Sequence, residues 1–176
     1  MSVSIISNPK YLTSNVDEYS GNPLIEALPP AFDDRILINI LSNITSPPDD
    51  ISLMSDTEKM ELVGRIQSII VPTSNYTAMY KSIRQMLLNG YAQRNPLTPK
   101  VTEWCYDLIT TKIGFENISP STGNSMTFCG MSGMGKSTLS DRVLKSCFPQ
   151  VILHPEHPTI VNPQIVWLKF DMPSDA

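Results

Sequence analysis

No apolar run in this 176-residue chain approaches the roughly 18–20 residues of a membrane span, so no transmembrane helix is expected. The N-terminus has no basic stretch followed by an apolar one, which argues against a secretory signal. Cysteine is scarce: Cys105, Cys129 and Cys147 are odd in number and share no ligand-like spacing. They predict reduced, mostly buried thiols in a cytoplasmic protein rather than a disulfide or zinc framework. No repeat, low-complexity tract or dense basic cluster is present. Residues 62–102 carry five bases and no acid, against ten acids and three bases in residues 1–61. Such a block could face a phosphate backbone, but its bases are dispersed and are expected to pair with the acidic N-terminal block. Proline is plentiful by comparison, and its fifteen copies mostly punctuate segment boundaries.

The most specific feature is Gly130-Met131-Ser132-Gly133-Met134-Gly135-Lys136-Ser137-Thr138, a complete match to the phosphate-loop pattern G-x-x-x-x-G-K-[ST]. Glycines at 130, 133 and 135 let the backbone turn tightly and bring N–H groups against phosphate oxygens. Lys136 would place an ammonium on the β- and γ-phosphates of ATP, and the Ser137 hydroxyl would ligate Mg²⁺. Thr138 is expected to start the helix whose positive N-terminal end favours the anion. The flanks fit: Met126–Cys129 reads as a buried strand, and Leu139, Val143 and Leu144 fall at helical spacing until Pro149.

Further strands are predicted at Gln150–Leu153 and Gln164–Asp171. The second could be the acidic strand of an ATPase with Asp171 as its Mg²⁺ ligand, but no Glu follows Asp171 and Lys169 interrupts the run. An early strand of an α/β ATPase core is the better reading. Hydrolysis also needs a group that positions water and a cation for the developing charge. A small P-loop kinase would need an arginine-rich lid, and no arginine follows Lys145.

Upstream, the first thirty residues read as irregular. Asn22–Pro30 has prolines near both ends and an apolar centre, suited to docking in a groove. Three helices follow: an apolar stripe Ile36, Leu37, Ile40, Leu41, Ile44 with Asp33 or Asp34 as cap; a capping box at Ser55–Glu58 with Leu62, Ile66, Ile69 and Ile70 inward; and a stripe Met79, Ile83, Met86, Leu87 closed by Asn89-Gly90. A fourth helix is expected over about 102–113. The Met-containing stripe is assigned to core packing rather than to a partner surface. His154-Pro155-Glu156-His157-Pro158 hints at metal, but its prolines prevent helical presentation of the histidines, so a strand-to-strand loop is expected. Ser119–Ser125 reads as a linker, dividing the chain into an N-terminal region (1–118) and the start of a P-loop core (119–176).

Taken in order, Asn22–Pro30, Gly90–Pro96, the phosphate loop, Phe148–His154 and Val166–Asp171 resemble TnsC and its relative TniB, AAA+ ATPases of cut-and-paste transposons. The resemblance runs from about residue 19 to 171. It implies a partial P-loop NTPase core of the AAA+ kind, α/β in class, behind a mostly helical N-terminal region. It also implies an ATP-bound form that assembles on target DNA and links a target selector to the transposase. Family ATP contacts carry over only to Gly130–Thr138, with Ser137 for Mg²⁺. The family's acidic strand with its catalytic glutamate, its sensor residue, arginine finger and C-terminal lid would lie beyond Ala176. An N-terminal portion that binds ATP without hydrolysing it alone is therefore expected. A non-catalytic partner-binding module with a vestigial loop stands as the other reading.

Overall fold

The computed structural model describes residues 4–44, 46, 48–99, 101–103 and 124–170. Two elements precede the predicted helices: a strand β1 (Ile5–Ile6) and a single-turn helix α1 (Pro23–Glu26). The Asn22 side chain caps α1 by accepting from Leu24 N at 3.1 Å, and Pro23 fills the first helical position, where a missing N–H costs nothing. Asn22–Leu28 does dock, but into this chain's own core: Asn22, Pro23, Ile25, Ala27 and Leu28 are all buried.

Helix α2 (Asp34–Leu41) begins where Asp33 accepts from Ile36 N at 2.8 Å. Leu37 and Leu41 are fully buried, while Ile36 is half exposed and Ile44 lies beyond the helix. Helix α3 (Asp56–Arg65) has its predicted capping box, with Ser55 and Glu58 exchanging bonds. Its predicted inward residues do not point inward, however. No residue of α3 is buried, Ile66 is 61% exposed, and the chain tightens into a 3₁₀ turn at Ile66–Ser68. The apolar spacing was real, but among the described residues it does not bring any side chain of α3 into the core.

Helix α4 (Ser74–Ala92) runs through Asn89-Gly90 instead of stopping there. Leu87, Leu88 and Tyr91 pack against the core around this point, which offsets the roughly 1 kcal/mol that an interior glycine costs. Asn22 Nδ2 then donates to Tyr91 O at 2.8 Å, within the last turn. The expected fourth helix lies mostly outside the described residues.

Helix α5 (Lys136–Cys147) leads past Pro149 to β2 (Val151–Ile152), and β3 (Gln164–Ile165) follows Pro163. The sheet order is β1-β2-β3, with β1 parallel to β2 and β2 antiparallel to β3. Ile5 stands opposite Val151, and Val151 opposite Ile165. The strand predicted at Met126–Cys129 does not form. Those residues join no ladder, and Thr127, Phe128 and Cys129 are exposed. Both edges of β2 are taken, by β1 and β3, and those outer strands are only two residues long, so they offer the segment entering the loop little ladder to extend. Cys129 is thus an exposed thiol, contrary to expectation, whereas Cys147 is buried as expected.

One apolar cluster unites the chain on both sides of residue 119. Leu28, Leu37, Leu41, Met79 and Tyr80 pack with Val143, Cys147, Phe148, Ile152 and Val166. The Tyr80 ring stacks on Phe148 with centroids 5.4 Å apart, and its hydroxyl accepts from Phe32 N at 3.1 Å. No helix among the described residues is long and apolar enough to cross a membrane.

Candidate functional site

The loop at 130–138 is built from two glycines in the left-handed region, Gly133 at φ 82° and Gly135 at φ 74°. An L side chain would be strained at either position, so the sequence needs glycine there. Gly130 differs. Its φ is not positive, and an added Cβ would only touch Lys136 Cδ and Met134 Sδ at 3.7 Å, an ordinary contact.

Gly135 forms the N-terminal boundary of α5, and its carbonyl accepts from Leu139 N at 2.8 Å. The helix therefore starts at Lys136, two residues before Thr138. No side chain caps it. The N–H groups of its first turn are accordingly left for water or for a ligand.

Lys136 folds back over the loop, and its ammonium donates to Gly130 O and Met131 O, both at 2.8 Å. An ammonium has three donors, so two carbonyls fix its position while one proton can still reach an anion. Ser137 and Thr138 are exposed on the outer side of the first turn, and Met131 and Met134 stand exposed on the loop. A single hydroxyl suits Mg²⁺, which keeps most of its octahedral sites for phosphate oxygens and water.

Behind the loop, α5 is fastened on two sides. Asp141 pairs with Lys145 at 3.2 Å and with Lys169 at 3.0 Å. The Lys169 hydrogen bond is the main reason its carboxyl sits below the usual aspartate value. Asp141 is the only acid on α5, and it is thereby committed to lysines. Arg142 reaches the opposite way, to carbonyls at the end of α2. On the inner face Val143 and Cys147 are buried, and burial pushes the Cys147 thiol up to about 11. Asp171 lies outside the described residues.

The histidine-proline segment connects β2 to β3, as predicted, and its chemistry is structural. His154 is buried, with Nδ1 3.0 Å from the Tyr11 hydroxyl and Nε2 2.9 Å from Gln164 Oε1. Gln164 Nε2 donates onward to Leu24 O at 3.0 Å. An amide oxygen can only accept, so Nε2 carries the proton and Nδ1 accepts from Tyr11. Both ring nitrogens are occupied. Burial holds the imidazole below its ordinary value, which keeps it neutral. No group of three or more His, Cys, Asp or Glu placed to hold a metal occurs among the described residues.

Other hydrogen bonds tie segments far apart in sequence. Asn22 meets Tyr91, Asn95 Nδ2 donates to Gly21 O at 3.2 Å, and Gln164 reaches Leu24. Sequence reasoning missed the roles of Arg142, Tyr11 and Gln164. For Arg142 a signal existed: α2 ends without a basic residue in its last turn, so its carbonyls needed donors from elsewhere. For the basic block, Lys81 pairs with Asp34 at 2.8 Å, as anticipated, and Arg84 donates to Pro29 O at 2.7 Å. No protein-family model matches this chain, and no curated protein matches it.

Proposed function

We propose that the chain binds a nucleoside triphosphate, ATP with Mg²⁺, at Gly130–Thr138. The observation that carries this reading is the Lys136 ammonium, held by two carbonyls of its own loop above the open N-terminus of α5. In such an arrangement the triphosphate meets a prepositioned cation, free backbone N–H groups and the positive end of a helix dipole. Ser137 Oγ would be the protein's ligand to Mg²⁺, and the metal would neutralise charge on the β- and γ-phosphate oxygens. The side chains at 133 and 135 are hydrogen atoms, so the backbone there can approach phosphate closely.

No hydrolytic step is assigned to the chain. The one carboxylate of α5 is tied to Lys145 and Lys169 and is not available to orient water. In biological terms, we read the chain as the ATP-binding N-terminal portion of a regulator of DNA transposition, of the AAA+ kind. The support is the order of motifs along the chain. Partners on this reading are a transposase, a target selector and target DNA.

Calorimetric titration of Mg-ATP into the purified protein and into Lys136→Ala tests the reading. Loss of one charge-assisted contact predicts affinity reduced by about tenfold or more. Equal affinities would sink it.

A further inference from the structure

Three carbonyls at the end of α2 accept from one side chain on α5. Arg142 Nε donates to Leu41 O at 3.1 Å, and Nη2 reaches Ser42 O at 3.0 Å and Ile40 O at 3.4 Å. The last carbonyls of a helix have no intrahelical donors, and negative partial charge gathers there. In α2 the preceding ones, of Ile38 and Asn39, are taken by the backbone N–H and hydroxyl of Ser42. The final set is left to a guanidinium, whose planar fork of donors suits several fixed acceptors better than an ammonium does.

Arg142 stands six positions after Lys136 on the same helix, about 9 Å along its axis. Immediately past the clasp, Asn43 and Ile70 exchange both backbone bonds, at 3.0 and 2.9 Å, and Asn43 Nδ2 donates to Ser68 O at 2.7 Å. A continuous line of directional contacts therefore runs from the loop through α5 and the end of α2 to the turn at 66–70.

We propose that Arg142 is a positioning residue that couples anion occupancy of the 130–138 loop to the C-terminus of α2, and through Asn43 to the 66–70 turn. The inference rests on the nucleotide-binding reading above. An anion held by Lys136 and the first turn of α5 fixes that helix, and a fixed α5 keeps the guanidinium on its three carbonyls. When the clasp opens, α5 loses an anchor and the loop it carries is less well placed. Clasped and released forms are the two states that both sites bias, and linkage makes the effect reciprocal.

The test follows hydrogen exchange in peptides covering 37–43, 66–70 and 136–141 of the full chain, with and without Mg-ATP, alongside calorimetric affinities. Wild type, Arg142→Gln and Arg142→Lys are compared. In wild type, Mg-ATP slows exchange at all three places. In Arg142→Gln the protection at 136–141 persists, that at 37–43 and 66–70 is lost, and affinity falls by about 5- to 50-fold. Arg142→Lys keeps the charge and recovers part of both, and it carries the comparison should Arg142→Gln not fold. A purely structural role would lower stability without removing the ligand-dependent difference. Binding by wild type with no change at 37–43, or undiminished protection there in both variants, overturns the coupling and leaves the loop reading intact. No binding by wild type overturns both.

Discussion

Helices α3 and α5 are nearly equal in length and opposite in how they begin and in what they bury. The local signals of α3 are complete: a capping box, acids in the first turn and Arg65 in the last. Yet it buries nothing, and Val63 is 59% exposed. Helix α5 has no side-chain cap and starts at a left-handed glycine, but Val143 is wholly buried, Arg142 reaches α2 and Asp141 reaches Lys169. Local chemistry determines where a helix begins; contacts from distant sequence determine whether it has a place in the core.

Matched substitutions sharpen this contrast. Val143→Ala, in the α5 face against α2 and α4, is expected to cost about 2–3 kcal/mol in urea unfolding, from lost burial plus a cavity. Ser55→Ala removes the cap of α3 and is expected to cost about 1 kcal/mol of that helix's own stability. It should show as faster amide exchange at 56–62 with little shift in the global midpoint. Val63→Ala, the counterpart of Val143→Ala on α3, should stay within about 0.5 kcal/mol of zero. A larger loss at Val63 than at Val143 would break the comparison.

Acid separates the α3 cap from the buried histidine that follows β2. Burial lowers the His154 value below 6.5, so the unfolded chain takes the proton first. Its contribution is complete above about pH 6.5 and is lost as pH falls through the folded value. Glu58 is held below the ordinary 4.5, first by the Ser55 backbone N–H and then by the Ser55 hydroxyl, so the α3 cap survives until pH falls below that value. Thermal midpoints measured from pH 7 to 5 should therefore decline, and the slope should flatten in His154→Gln. An unchanged slope in that variant would assign the decline to other groups.

Much of the local structure was legible in the sequence. Asp33 and the Ser55–Glu58 box act as caps, Pro149 closes off α5, and the strands at 151–152 and 164–165 lie within their predicted spans. Gly133 and Gly135 both take left-handed conformations, and of the two only Gly135 is a fixed position of the loop pattern. What sequence could not convey was long-range. The 126–129 run has strand-like residues but no open edge of β2 to join. Asn89-Gly90 looks like a helix stop, but Tyr91 is needed by Asn22 from 69 positions away. The spacing of Leu62, Ile66 and Ile69 is amphipathic, and periodicity alone does not reveal whether anything lies opposite.

The pairing of Ile5 with Val151 has a consequence for how the molecule is made. A ribosome adding about 5–20 residues per second places the partner of β1 roughly 7–30 seconds behind it. Through that interval Ile5 and Ile6 have no ladder to join, and the most sequence-distant contacts must form last against the full cost of closing the chain. Ile5 and Ile6 thus emerge long before the strand that gives them a ladder, and the β1–β2 pairing comes late in folding.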